Sequence, residues 1–522
     1  MRKGQWIIFL LVVFGLLGAG NVSAATYYVK PDGNDNADGR SDATAWKTIA
    51  KVNSFSFQPG DDVYFKCGGT WNERLYIDWG GVDENNRAII GAYYLDGGKE
   101  KIGVSGSKPT IDGQDKIPSD RYSALVHSKD YNSHVTVQDL RIINSEGLGV
   151  NAGRYSTNFN VLRVDTENTL MSGVHYSRAN GGLVEGCIIK NAARVYYEGQ
   201  ASDWPAAISI MTRSHGVTVK NNYVVNNHGE GIGLYQGVYK ITVEYNTVVN
   251  NKNVNIYLDA ADNCTIRHNL IYRESSWIYP TTGIWLNDEG LTPSFDPGTG
   301  PNRNNKVYGN FIANCNYGLW FNANASNATP IDAYNNRLYN NTIVACREYG
   351  IYVRANGGQF TNSAVKNNIV WCGTPGDTAV CSPGYVYGGA PGLTFGYNYW
   401  SMSPSSLMMS SSDPGYPSYE NGSPKLRKAE GWQDIDANSN LNYSDFDLMD
   451  GSRAIDKGEN LGEDYKYLLL SGKCHFSMDQ PASSNFILSD QNAHGTGWEI
   501  GASVFLPSAS GLEPPKNLRL VD

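Results

Sequence analysis

Eight short stretches of the chain share one alternation of small, apolar and variable positions: residues 149–153, 173–177, 207–211, 231–235, 255–259, 283–287, 318–322 and 350–354. Each reads small–apolar–x–apolar–x, with Ala207 and Asn255 opening the third and fifth. The starts at 149 and 173, and those at 207, 231 and 255, are 24 residues apart, and insertions stretch the rest. A strand turns successive side chains to opposite faces, so the second and fourth positions share a face. They form two apolar columns, one running Val150, Val174, Ile208, Ile232 and on to Ile351, the other Ala152, Tyr176, Ile210, Leu234 and on to Val353. Columns at this period predict coils stacked into a solenoid, with the odd positions facing outward.

A second strand per coil follows a V-x-x-N-x-I-V-x-N spacing, cleanest in VKNNYVVN (219–226) and VEYNTVVN (243–250). Its first Asn recurs at 222, 246, 269, 310, 341, 368 and 398, and its second at 144, 168, 191, 226, 250 and 314. One residue type repeated in register predicts a ladder of side-chain hydrogen bonds from coil to coil, a structural feature rather than a reactive one. Residues 25–113 are expected to form an amino-terminal cap and the first coils, with a short helical pattern over 45–54 covering the open end. Repeats should run over 114–400, loops and closing strands over 401–505, and a linker-like tail over 506–522.

The first 24 residues read as an export signal: Arg2 and Lys3, an apolar run from Ile7 to Leu17, then Val22-Ser23-Ala24. The expected product is secreted, periplasmic or extracellular, with no membrane span and as a monomer. A net charge of −9 argues against nucleic acid or an anionic lipid surface as partner. Tyrosine (34) and tryptophan (12) exceed what the repeat core needs, and flat rings on an outer face suit sugar rings. Of eight cysteines, Cys187 and Cys264 fall on inward positions and should be buried thiols. Cys315 and Cys346 hold the same template place in adjacent coils, near enough for a bridge, and Cys372 and Cys381 could close a local loop.

With its opening YYVKPDGNDNADG…AWKTIAKV…PGDDVYFKCGGTW, repeats such as VTVKNNYVVNNHGEGIGLYQG and closing RAIDKG…GWEIGA, the chain resembles the right-handed parallel β-helix superfamily of exported carbohydrate-active proteins, which includes pectate lyases and alginate epimerases. The resemblance spans about residues 26 to 505. It implies an all-β fold, a single-stranded right-handed parallel β-helix solenoid with an amino-terminal cap, and action on a polysaccharide. The Asp-Pro-His motif of alginate epimerases and the full residue set of polygalacturonases are absent. The resemblance therefore leaves the reaction class open.

The third template position gives an outward column Asn151, His175, Ser209, Gly233, Tyr257, Trp285, Trp320 and Tyr352. The fifth gives Gly153, Ser177, Met211, Tyr235, Asp259, Asn287, Asn322 and Arg354. Four consecutive aromatics beside polar neighbours suit a sugar chain, offering faces to stack on and edges to orient. His175, Asp203, Arg213, Tyr235, Trp285, Asn287, Trp320, Asn322, Tyr352 and Arg354 are thus expected to bind substrate. His228, Glu230, Lys252, Tyr257 and Asp259 are expected to share one face within two coils and to carry catalysis.

For a uronate lyase or epimerase, Lys252 or Arg213 would neutralise the carboxylate and His228 or Tyr257 would act as base. For a glycoside hydrolase, two carboxylates from Asp203, Glu230 and Asp259 would serve. Lyase or epimerase chemistry is preferred, with hydrolysis or non-catalytic polysaccharide binding as alternatives. Calcium is a further expectation, at Asp434, Asp436, Asn438 and Asp445, although a calcium loop's sixth-place glycine is replaced by Ser439. Asp32, Asn34, Asn36 and Asp38 have similar spacing, which turn chemistry also explains.

Overall fold

In the computed structural model, the described residues are 24–196, 205–274, 276–287, 302–326, 329–330, 332–372, 381–419, 423–427, 441–470, 474, 477–505 and 518–520. Among them, three long sheets of 14, 12 and 12 strands run along the molecule, each with sequence-successive coils as neighbours. Almost every pairing in them is parallel and one coil apart, as a parallel β-helix requires. A short helix, Ile49–Ser54, capped by the Thr48 side chain, sits near the amino-terminal end.

The eight template stretches are consecutive strands of one sheet in the expected register. Val174 pairs with Ile208, Ile208 with Ile232, Ile232 with Ile256, and so on to Leu319 with Ile351. The sheet extends beyond them, to Leu75–Ile77 and Ala124–Ser128 at one end and Ser382–Tyr387 at the other. Its even positions fill the core, with Val174, Ile208, Ile232, Leu234, Ile256 and Leu258 fully buried.

The opening position corrects the expectation that every odd position faces outward. It sits at a corner of the coil and points inward. A Cβ on Gly231 would lie 2.8 Å from Val248 Cγ1 and 2.9 Å from Asn251 Nδ2, and one on Gly173 2.8 Å from Ile189 Cγ2. Where Asn255 takes this place it is buried and accepts from Asn251 Nδ2 at 2.8 Å. Because alternation breaks at the corner, the preceding residue turns outward. That residue is Glu230, Thr282, Tyr317 or Tyr349 in its coil, paired in register from Thr282 to Tyr317 to Tyr349.

The first Asn column is a continuous buried ladder. Nδ2 of Asn222 donates to Asn246, Asn246 to Asn269, Asn269 to Asn310, Asn310 to Asn341, Asn341 to Asn368 and Asn368 to Asn398, at 2.9–3.0 Å. The second column sits at a left-handed turn, with φ between 52° and 58° at all six positions. Asparagine tolerates that conformation better than other side chains with a Cβ. There Asn168 donates to Asn144 and Asn250 to Asn226.

Cys372 and Cys381 form a disulfide. Cys315 and Cys346 are buried free thiols, contrary to the expected bridge. In-register parallel neighbours point their Cβ vectors the same way, whereas a disulfide needs them to converge. Cys187 and Cys264 are buried thiols as expected, each pushed up to about 12 by burial.

The carboxy-terminal segment folds back as a small four-stranded sheet. It packs Tyr443, Phe446, Phe486 and Ile500 against Leu270, Phe311, Ile369 and Trp371, on a face formed by the second strand of each coil. Tyr443 Oη donates to the His268 carbonyl at 3.1 Å and Ala502 N to Thr342 Oγ1 at 2.9 Å. This docking face is separate from the strands that carry the aromatic column.

Candidate functional site

A cavity of about 860 Å³ runs over the outer face of the template sheet. Its walls include His175, Glu230, Tyr235, Tyr257, Asp259, Trp285 and Trp320. The aromatic column therefore faces outward, as the alternation predicts. Tyr257, Trp285, Trp320 and Tyr352 follow each other strand by strand, and the added strand continues the column with Tyr385. The Trp285 and Trp320 rings stack at 4.3 Å, and Tyr352 and Tyr385 at 5.9 Å. Tyr317 and Tyr349, aimed outward by the corner, widen this surface and also stack on each other. Only the coil geometry reveals them.

The polar column beside the rings does a different job from the one expected. Asn287 and Asn322 are buried beneath the rings rather than lining the groove. Asn322 Nδ2 donates to Asn287 Oδ1 at 2.9 Å, Asn287 Nδ2 to Tyr257 Oη at 3.0 Å, and Trp320 Nε1 to Asn322 Oδ1. They fix ring orientation. Tyr257 itself is only 4% exposed, more a wall than a platform. Trp285 Nε1 is buried without a partner among the described residues, leaving a donor for a ligand oxygen. Arg354 stands farther along, its guanidinium 5.8 Å from the Tyr387 ring centre.

Glu230 and Asp259 are the two carboxylates lining this cavity among the described residues. Glu230 is 6% exposed and accepts a hydrogen bond from Tyr235 Oη. Gly233 makes that bond feasible, because the Tyr235 ring lies back along its own strand over the space a Gly233 side chain would fill. Tyr235 pairs in register with Asp259 on the next strand. Tyr235 thus bonds one carboxylate of the groove and is the strand neighbour of the other. His175, on the cavity wall, is held down to about 4 by burial and by neighbouring His127, so its imidazole is neutral at pH 7.

The structure divides the five expected catalytic residues. Glu230, Tyr257 and Asp259 line the groove, whereas His228 and Lys252 do not. His228 Nε2 is 2.6 Å from Asn191 Oδ1, within the second Asn column, and lines a separate cavity with Glu274 and Trp277. Burial, Lys252 and Arg194 lower its pKa. Lys252 Nζ stands over the Tyr279 ring at 5.2 Å. Their position is a consequence of the corner, which turns Glu230 toward the groove and leaves residues two places earlier on the other flank. Arg213 occupies a left-handed turn at φ 59° and is absent from the groove walls.

Asp203, Asp434, Asp436 and Asn438 lie outside the described residues. Asp445 caps a short 3-10 helix, its carboxylate accepting from Asn442 N at 2.8 Å. In the other acidic run, Asn34 accepts from Asn36 N and Asp38 from Arg40 N, which is turn chemistry. Among the described residues no group of three or more His, Cys, Asp or Glu is placed to hold a metal ion.

The family described as right handed beta helix region matches residues 123–296. Over those residues the match agrees with the parallel β-helix topology described above. No curated protein matches it. Solved structures of similar fold include the Dettilon tailspike protein, 15% identical, covering 72% of this chain and 66% of that one at a TM-score of 0.47. Pectate lyase Pel9A is 13% identical, covering 92% and 97% at 0.44. The GH136 lacto-N-biosidase from Eubacterium ramulus is 14% identical, covering 64% and 65% at 0.40. The chain thus spans just under two thirds of the biosidase and of the tailspike protein. At these identities the likeness is one of fold.

Proposed function

We propose that the protein is an exported glycoside hydrolase that binds a neutral stretch of polysaccharide along the aromatic groove and cleaves it with Glu230 and Asp259. The observation that carries this reading is the groove's composition. It pairs stacked rings with two carboxylates, and its described walls contain no Lys or Arg.

Lyase or epimerase chemistry needs a cation or an acid at the substrate carboxylate to stabilise the enolate-like transition state. Lys252 stands over the Tyr279 ring, Arg213 is not among the described groove walls, and a groove of like charge would repel a polyuronate at its centre. Hydrolysis needs no such cation. One carboxyl group protonates the leaving glycosidic oxygen as the C1–O bond breaks, and the other assists water or attacks C1 itself. Tyr235, bonded to Glu230, holds that carboxylate in place. Export follows from the signal-like first 24 residues; among the described residues no helix is long and apolar enough to cross a membrane.

The test is to incubate the protein with matched panels of neutral glycans and polyuronates. New reducing ends from a neutral glycan, lost in both Glu230→Gln and Asp259→Asn, are expected. An unsaturated uronide product would overturn hydrolysis in favour of a lyase. Retention on a glycan without turnover would make the groove a binding surface only.

A further inference from the structure

A second cavity, of about 380 Å³, continues the groove toward the amino-terminal end, sharing Tyr122 and His175 with the first. Its chemistry differs. Lys129 and Arg154 are on its walls, with His127 and Asp130. Arg154 directs Nε and Nη2 to Asp130 at 2.9 and 2.6 Å, leaving its Nη1 edge outside that pair. Lys129 is exposed. His127 Nδ1 accepts from Ala124 N at 3.3 Å, which puts the ring proton on Nε2 as a donor, and the ring stacks on Tyr76 at 5.8 Å.

The rim carries an independent signal. Tyr131, Tyr155 and Arg178 follow cavity residues Asp130, Arg154 and Ser177 in three successive coils, and all three adopt left-handed backbone, at φ 62°, 61° and 54°. Left-handed backbone recurs at the turns of this solenoid, often at residues that are neither asparagine nor glycine. Here it displays two tyrosine rings stacked at 4.8 Å and 9°, with Tyr131 71% exposed and the Arg178 guanidinium 5.8 Å from Tyr155. An exposed aromatic and cationic column beside a cavity offers a ligand flat faces and charge together.

We propose that this end of the groove is a separate subsite for an anionic sugar, a uronate or a sulfated residue, with Lys129 and Arg154 receiving the charge and Tyr131 and Tyr155 stacking the ring. The inference rests on the reading of the main groove as a glycan cleft. It deepens that reading by giving the substrate a polarity, neutral across Glu230 and Asp259 and charged beyond His175. Burial and Arg74 hold His127 down to about 4, so its ring faces the pocket as a neutral hydrogen-bond donor.

The test measures retention, not turnover. Matched oligosaccharide pairs, each a neutral chain with and without one terminal uronate or one sulfated sugar, are titrated against the protein and against the Lys129→Ala/Arg154→Ala variant. The anionic member should bind at least about tenfold more tightly at low salt, as expected for charge-assisted contacts. The double variant should lose that preference while keeping its affinity for the neutral chain. Preference for uronate alone or sulfate alone names the group within the same proposal. Equal binding of each pair, a preference that survives in the double variant, or loss of the neutral chain along with the anionic one would overturn it. Binding with this preference but without turnover would sink hydrolysis and leave the subsite standing; no binding of any chain would sink both.

Discussion

Two glycines two residues apart, Gly231 and Gly233, should respond to alanine in opposite ways, and the contrast tests the geometry of the groove strand. At Gly231 a Cβ would approach Val248 Cγ1 to 2.8 Å and Asn251 Nδ2 to 2.9 Å, and the Asn255 carbonyl oxygen of the neighbouring strand more closely still. Backbone cannot rotate away, so Gly231→Ala must shift a strand and disturb the buried Asn251–Asn255 bond. Overpacking of this kind costs about 3 kcal/mol. At Gly233 the overlap is with the far end of the Tyr235 ring, which can swing into the groove. The fold then loses little, because alanine in a strand recovers roughly 0.5–1 kcal/mol over glycine. The Tyr235–Glu230 hydrogen bond is broken instead. A bond to a charged group is worth about 1.5–3 kcal/mol, which corresponds to roughly ten- to a hundredfold in turnover if the pair acts in the transition state. Thermal melts followed by circular dichroism, with glycan turnover on the same preparations, separate the cases. A Gly231→Ala protein that melts like wild type, or a Gly233→Ala protein that falls as far as Gly231→Ala, refutes the assignment of inward and outward positions. A well-folded Gly233→Ala protein with full turnover refutes the role given to Tyr235.

Three further outcomes are expected. Glu499, 2% exposed, has its carboxyl pushed up to about 7 by burial. Its stabilising contribution is therefore complete below the unfolded value near 4.5 and lost as pH rises through 7, a decline of about 3 kcal/mol at most. Denaturant midpoints between pH 5 and 8 should flatten in Glu499→Gln, and an unchanged slope would rule the residue out. Asn310→Ala should cost about 3 kcal/mol in chemical denaturation, since it strips partners from Asn269, Asn341 and the Ile266 carbonyl inside the core. Asn168→Ala, in the part-buried second column, should cost clearly less, and equal losses would contradict the distinction between the columns. His228→Ala and Lys252→Ala should leave glycan turnover within about twofold, whereas Trp320→Ala should weaken retention by roughly 1–2 kcal/mol of lost stacking; kinetics that collapse in either of the first two would return them to the site.

The coil is written in the periodicity of the chain. Alternating apolar columns and recurrent asparagines are periodic signals, and stacking demands the same residue type at the same place in every turn. Strand register, the buried Asn ladder and the outward aromatic column could therefore be read without coordinates. Which residues meet around the groove was decided only by the tertiary structure, because coil corners interrupt alternation and their angles are not periodic in sequence. The corner brought Glu230, Tyr317 and Tyr349 to the groove and kept His228 and Lys252 away, although His228 and Glu230 are two residues apart. Hydrogen bonding to Tyr257, Trp320 and each other holds Asn287 and Asn322 beneath the rings they had seemed to flank. A linear pattern says which face a strand residue takes; it does not say where the chain bends, and the bends set the chemistry of this site.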